Sequence, residues 1–328
     1  MFNRGNKQGG HSMLRKFGTT DLQLSPLGLG TWQFSGGQGM IGKYWAPLLE
    51  EQVQDIIRIA LEGGVNWFDT AEIYGGGESE RVLAAALRKL EPLSQAAHIA
   101  TKWWPIMRTA ASIPKTIGER QRVLEGRTID LYQVHQPFSF SSVSSEMKQM
   151  AKLAEQRQIR YIGVSNFSAK QMRTADRTLR EHGLRLASNQ VKYNLLDRQI
   201  EHNGVLETAK ELGVAIIAYS PLKQGLLSGK FHADPALLKG LTSFRRNYGG
   251  FKPSSLERTR PLIARLEQLA ERYQASPTQI ALNWLIHAHG DTVFAIPGAS
   301  KPHHAQELVN AMRFRLTEEE IAELQSLT

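Results

Sequence analysis

The chain has 328 residues, 41% of them hydrophobic and 22% charged, no cysteine, and a net charge of +9 from 40 Lys plus Arg against 31 Asp plus Glu. Without cysteine there is no disulfide, thiol nucleophile or Cys-ligated metal, which fits a cytoplasmic location. Lys and Arg are dispersed among Glu instead of massed in one segment, so no nucleic-acid partner is expected, and the longest apolar run, Val214 to Tyr219, is far shorter than the ~20 residues of a membrane helix.

Residues 1–12 are polar and Gly-rich and read as a tail, leaving 13–328 as a single domain. Met13–Phe17 and Leu22–Ser25 flank Gly18-Thr19-Thr20-Asp21 and predict a hairpin that caps the bottom of that domain. From Pro26 onward short apolar runs alternate with amphipathic stretches. Strands are expected at Leu27–Gly30, Val65–Phe68, His98–Thr101, Leu131–His135, Ile159–Val164, Leu186–Gln190, Val214–Ala218 and Thr292–Ile296. Helices are expected between them at Glu51–Glu62, Glu78–Lys89, Ser112–Glu125, Ser142–Gln156, Ala169–His182, Asn203–Leu212, and Pro261–Tyr273 with Pro277–His289. Such alternation without a linker predicts the α/β class and one closed (β/α)8 TIM barrel. Lys230 to Arg260, rich in Gly, Pro and basic residues, reads as a long irregular loop between strands seven and eight. Within it, residues 231–259 are expected to be mobile without a cofactor and at least partly ordered with one, with Arg245-Arg246 toward a phosphate.

Several predicted strands end in one ionisable group. Asp69 closes the second, Lys102 the third and His135 the fourth, while Tyr74 lies one short loop beyond Asp69. In a parallel barrel that end carries the chemistry. A tyrosine is a poor acid at neutral pH unless its phenolate is stabilised, and an ammonium beside it does so while an aspartate holds the ammonium charged. His135 is placed to orient a carbonyl or relay a proton. The four protonate an oxygen but supply no nucleophile and no metal cage, so a hydride donor of the nicotinamide type would complete a carbonyl reduction. Trp32, Trp103, Trp104 and Phe138 follow strand ends where an apolar pocket would be lined.

The chain resembles the aldo-keto reductases. The likeness runs from about Met13 to the C-terminus on Phe68-Asp69-Thr70-Ala71-Glu72-Ile73-Tyr74-Gly75, Thr101-Lys102, Asp130-Leu131-Tyr132-Gln133-Val134-His135, Gly163-Val164-Ser165-Asn166-Phe167, Asn189-Gln190, Ala218-Tyr219-Ser220-Pro221-Leu222 and Ile296-Pro297-Gly298-Ala299-Ser300. The resemblance implies an NADP(H)-dependent carbonyl reductase with Asp69, Tyr74, Lys102 and His135 as its catalytic tetrad. It further implies nicotinamide contacts at Thr31, Trp32 and Gln38, carboxamide contacts at Ser165, Asn166 and Gln190, and stacking on Tyr219. Ser220, Leu222, Gly225 and Leu227 match the pyrophosphate loop, with Lys230 adding charge. Gly298, Ser300, Lys301, His304 and Glu307 match the adenosine end. Leu308 stands where many members carry an asparagine, and His304 where an arginine or glutamine is common.

Ser300-Lys301, ahead of a helix from His303, offers a hydroxyl, an ammonium and helix N–H groups to an extra phosphate, which favours NADPH over NADH. The Trp32 to Gln38 segment and the Gly-Ala-Ser pattern look closer to the branch containing the potassium-channel β-subunits. That likeness makes an NADPH-binding regulatory protein the rival to an enzyme. His135 separates the two, because the channel subunits usually lack it. A barrel binding phosphorylated sugars without redox chemistry is a third reading. The expected partner is a small carbonyl substrate, and a homo-oligomer is compatible with the sequence.

Overall fold

The computed structural model describes residues 14–39, 45–241 and 250–328. Eight parallel strands form one sheet: β3 (Leu29–Gly30), β4 (Trp67–Asp69), β5 (His98–Trp103), β6 (Leu131–Val134), β7 (Tyr161–Ser165), β8 (Leu186–Lys192), β9 (Ala215–Tyr219) and β10 (Val293–Ala295), each beside its sequence neighbour. Bridges from Leu27 to Ala295 and from Gly30 to Gly298 join the first of these strands to the last and close the barrel. A hairpin of β1 (Arg15–Lys16) and β2 (Gln23–Leu24) precedes it.

Side-chain alternation along the strands builds two layers inside. Trp67, Ala100, Leu131, Ile217 and Phe294 pack in the lower layer with Phe17, Leu22 and Leu24 of the hairpin. The Phe17 ring lies 5.0 Å from that of Phe294 and 6.1 Å from that of Trp67, so the hairpin plugs the bottom of the barrel as expected. Two residues further along the same strands, the inward row reads Asp69, Lys102, Gln133 and Tyr219. The alternate residues of these strands, among them Phe68, Trp103, Tyr132, Ile216 and Ala218, face the helices and join the outer core.

The surrounding helices are α1 (Glu50–Glu62), α2 (Glu78–Lys89), α3 (Ile113–Val123), α4 (Val143–Glu155), α5 (Ala169–Arg180), α6 (Val205–Leu212), the short α7 (Lys230–Ala233), α8 (Pro253–Tyr273), α9 (Pro277–His287), α10 (Pro302–Ala311) and α11 (Glu318–Ser326). Ser142, Ser168, Ser276 and Thr317 cap four of them by accepting a backbone N–H.

One helix start and one loop need correction. The helix expected from Pro261 begins at Pro253 and carries Pro261 inside it. Leu256, Leu262, Ile263 and Leu266 form a continuous buried stripe, and that packing outweighs the donor lost at an exposed proline. The stretch from Lys230 is not wholly irregular, since α7 and a 3-10 turn at Pro235–Gly240 occupy its first part. Residues 1–12, Met13 and Arg245-Arg246 lie outside the described residues.

Candidate active site

Asp69, Lys102 and Tyr74 meet at the C-terminal mouth of the barrel. Lys102 is fully buried, with Nζ 2.5 Å from Asp69 Oδ1 and donating to the Thr70 carbonyl at 2.7 Å. The other carboxylate oxygen of Asp69 accepts from Gln190 Nε2 at 2.8 Å and Gln133 Nε2 at 3.2 Å. Both glutamines lie on the inward row, and the close approach at Gln133 requires Gly163, where a Cβ would stand 2.9 Å from Gln133 Cγ and 2.4 Å from Ser188 Oγ. Buried donors on every side make Asp69 a fixed anchor for the ammonium.

Tyr74 sits in the turn after β4, which closes at Gly75, with φ of 68° and no room for a Cβ against the Ser35 carbonyl 2.5 Å away. The Lys102 ammonium is 5.1 Å from the Tyr74 ring centroid. Burial alone depresses Lys102, but Asp69 and Tyr74 outweigh it and keep the amine charged. For Tyr74 the balance differs from the sequence expectation. Although Tyr74 as a whole is half-buried, burial of the phenol raises its pKa, and Lys102 offsets only some of that rise. His135 lies opposite, its ring 5.7 Å from Tyr74 and 5.2 Å from Trp104. Burial, and then Lys102, hold its pKa well below the usual histidine range, so the imidazole is neutral. Its Nδ1 is buried with no hydrogen-bond partner among the described residues. Trp32 stacks on Tyr74 at 6.0 Å and meets Trp45 edge-on at 6.0 Å. An aromatic wall, a phenol and a neutral imidazole thus surround one small space.

A second network fixes the Tyr74 turn from outside. Glu72 accepts from the Trp104 N–H, from Arg108 at 2.6 Å and from Arg120 at 3.1 Å. Arg120 also pairs with Glu80, which takes the Thr101 hydroxyl at 2.6 Å. Burial raises the Glu80 carboxyl to about 7 despite Arg120 and Thr101. Sequence reasoning found neither this network nor Gln133. Their signal is weak: a glutamine within an apolar strand and arginines on amphipathic helices.

The expected cofactor residues fall into groups. The Thr31 hydroxyl lies 3.0 Å from the Asp69 carbonyl and 2.8 Å from Ser79 Oγ, and Gln38 is exposed. Ser165, Asn166, Gln190 and Tyr219 come together: Ser165 Oγ donates to the Gln190 carbonyl at 2.9 Å, and the Tyr219 hydroxyl to Asn166 Oδ1 at 3.1 Å. After β9, Ser220, Lys223, Gln224 and Gly225 take φ of 52°, 47°, 58° and 92°. Within this left-handed run the Lys223 N–H donates to the Ser220 carbonyl at 3.0 Å and the Gly225 N–H to the Leu222 carbonyl at 2.9 Å, so the loop is curled tightly by its own backbone bonds. Leu222 is half-buried, and Leu227 is buried in the outer core. Lys230 flanks the loop, its Cε 3.8 Å from where a Gly225 Cβ would lie.

Gly298 meets Gln33, whose buried Oε1 has no partner among the described residues. Ser300 contacts His304 through its N–H at 3.3 Å, and burial first, then His303, Lys230 and Lys301, push His304 down to about 4. Lys301 is exposed at the N-cap of α10, and Glu307 accepts from Ser276 Oγ at 2.8 Å. Leu308 is buried in the outer core. An unpaired imidazole nitrogen, a tyrosine beside a carboxamide cluster and a tightly curled loop flanked by lysine suit a dinucleotide running from the tetrad to the β9–β10 side.

A TIM barrel with an Asp–Lys–Tyr–His cluster at its C-terminal mouth is an oxidoreductase scaffold. The chain belongs to the aldo/keto reductase family, whose model matches residues 26–328. The uncharacterized oxidoreductase Rv2298 of Mycobacterium tuberculosis is 37% identical over 307 residues, covering 90% of this chain and 86% of that protein. The probable aldo-keto reductase 1 of Glycine max is 28% identical over 319 residues, covering 93% and 89%. Among solved structures, the glycerol dehydrogenase AKR11B4 of Gluconobacter oxydans superposes with a TM-score of 0.82 at 30% identity, covering 96% of this chain and 95% of that one. The thermostable aldo-keto reductase Tm1743, in complex with the inhibitor epalrestat, gives 0.76 at 29% identity, covering 96% and 100%.

Proposed function

We propose that this protein is an NADP(H)-dependent reductase of aldehydes and reactive ketones, with Tyr74 as the general acid. The observation that carries the reading is the buried Asp69–Lys102 pair set against Tyr74, with neutral His135 facing the same space. A bound reduced nicotinamide supplies the hydride. The carbonyl oxygen lies between the Tyr74 hydroxyl and the His135 imidazole, a hydrogen bond from His135 orients it, and Tyr74 delivers the proton as negative charge develops. Lys102 then stabilises the phenolate left behind, and Asp69, held by Gln133 and Gln190, keeps Lys102 in place. Trp32, Trp45 and Trp104 line the approach and keep water from the reacting carbon. Ser300 and Lys301, at the start of α10, form the site for the 2′-phosphate. The presence of His135 favours catalysis over a purely regulatory role.

The test is steady-state reduction of aliphatic, aryl and dicarbonyl substrates with NADPH, alongside direct titration of NADPH binding. Tyr74→Phe should lose about 10²-fold or more in kcat, the scale of general acid catalysis, with the NADPH Kd nearly unchanged. Wild-type turnover by this variant would remove Tyr74 from the mechanism.

A further inference from the structure

Beyond the expected cofactor contacts lies a cluster of charge between the ends of β8 and β9. Lys192 closes β8 on the inward row that also carries Ser188 and Gln190, and stands opposite Tyr219 in the sheet register. Its Nζ is 2.6 Å from Asp197 Oδ2, and Lys223 Nζ approaches the same oxygen at 3.8 Å. Two ammonium groups therefore share one carboxylate oxygen, and the trio carries a surplus positive charge. Asp197 is held in a tight turn by reciprocal backbone bonds with Asn194 of 2.9 and 3.2 Å. Asn194 Nδ2 donates in turn to the Ser220 carbonyl at 3.0 Å, tying that turn to the loop that bears Lys223. Burial, and then Lys192, hold the Lys223 amine below its ordinary range, so the two cations crowd each other.

We propose that Lys192, Lys223 and Asp197 form a charge-exchange site for the diphosphate of the dinucleotide, Asp197 serving as the counter-ion that the diphosphate replaces. The inference rests on the dinucleotide reading above. Place and span favour a diphosphate over the anionic group of a small substrate. The trio comes from the end of β8 and the loops after β8 and β9, whereas Asp69, Lys102 and His135 come from β4, β5 and the end of β6, on another part of the barrel wall. Tyr219 stands between the two regions and feels both Lys192 and Tyr74. A ligand that reaches both is long and carries its anion away from the carbonyl. Lys223 belongs to the left-handed run after β9, with Lys230 on its other side. Ammonium groups thus converge where phosphate binds in barrels of this kind.

The experiment measures Kd for NADPH and NADH by tryptophan quenching at several salt concentrations, in the wild type, Lys192→Met, Lys223→Met and Asp197→Asn. Circular dichroism and Tm confirm that each variant is folded. Both lysine variants should bind both cofactors about 10-fold or more weakly, the scale of a charge-assisted hydrogen bond, and with a shallower salt dependence. Asp197→Asn should bind both cofactors several-fold more tightly, because it removes the competing charge. The result separates from the 2′-phosphate assignment, where Lys301→Ala weakens NADPH alone. Unchanged Kd values in the folded lysine variants would overturn the proposal. So would variants that lose kcat/KM only for carboxylated or phosphorylated aldehydes while keeping their dinucleotide affinity, which would move the anion to the substrate. A wild type that binds no dinucleotide would instead overturn the reductase reading on which the proposal stands.

Discussion

Lys102 has two neighbours that favour its charge and surroundings that oppose it. Asp69 and Tyr74 win, so a full ammonium lies buried beside a phenol that burial has made less acidic. Removing that ammonium takes away the group that offsets the burial of Tyr74. Lys102→Met should therefore lower kcat/KM and move the alkaline inflection of its pH profile to higher pH, because Tyr74 then keeps its proton further up the scale. The variant also leaves Asp69 buried without its cation, at a cost to stability of about 3–5 kcal/mol, so the profile is measured where circular dichroism confirms the fold. An unmoved inflection would show that Lys102 does not tune Tyr74. That Asp69, Tyr74, Lys102 and His135 would come together was legible in the sequence because each ends or follows an apolar strand, and such positions converge at one face of a barrel. Gln133 was not, because its bond to Asp69 spans 64 residues and that of Gln190 spans 121, and nothing local marks a partner so distant. Nor does sequence weigh burial against a neighbouring charge, which is why the phenol was expected to be more acidic than the structure makes it.

At the scale of elements, the links between β8, the turns after it and the approach to β10 depend on one carboxylate. Glu201 accepts from Arg198 Nη2 at 2.7 Å and from the Tyr193 hydroxyl at 2.6 Å, and lies 3.3 Å from His289 Nε2. Burial alone would raise it, but these hydrogen bonds outweigh burial and bring its pKa down from 4.5 to about 2. A carboxylate whose pKa is lower folded than unfolded contributes stability that is complete above the unfolded value. That stability is lost as pH falls between about 4.5 and 2. Discounted for solvent screening, the contribution is about 2 kcal/mol. Urea titrations of wild type and Glu201→Gln should therefore differ by this amount at pH 7 and converge toward pH 2. A gap that stays constant with pH would assign the effect to packing. The elements themselves were legible wherever apolar periodicity decided them, and their bounds moved by only a few residues. The start of α8 was not, since Pro261 reads as a helix start and the buried stripe from Leu256 that carries the helix through it is a tertiary fact.

For the whole molecule, the closed barrel makes cofactor binding a stability measurement. A ligand that binds only the folded state, present at 100 times its Kd, adds about 2.7 kcal/mol, which at this chain length raises Tm by roughly 4 °C. NADPH and NADH share every group except the 2′-phosphate, so a difference between their shifts isolates that one contact. Lys301 at the N-cap of α10, next to half-buried Ser300, is the group assigned to it. A charge-assisted hydrogen bond of about 1–3 kcal/mol makes NADH roughly 5- to 150-fold weaker, and its shift at the same concentration correspondingly smaller. Lys301→Ala should bring the NADPH shift down toward that of NADH and leave the NADH shift unchanged, because the exposed lysine takes no part in the core. Equal shifts for the two cofactors in the wild type would defeat the NADPH preference. Equal losses for both in Lys301→Ala would move the contact of Lys301 from the 2′-phosphate to a group that the two cofactors share.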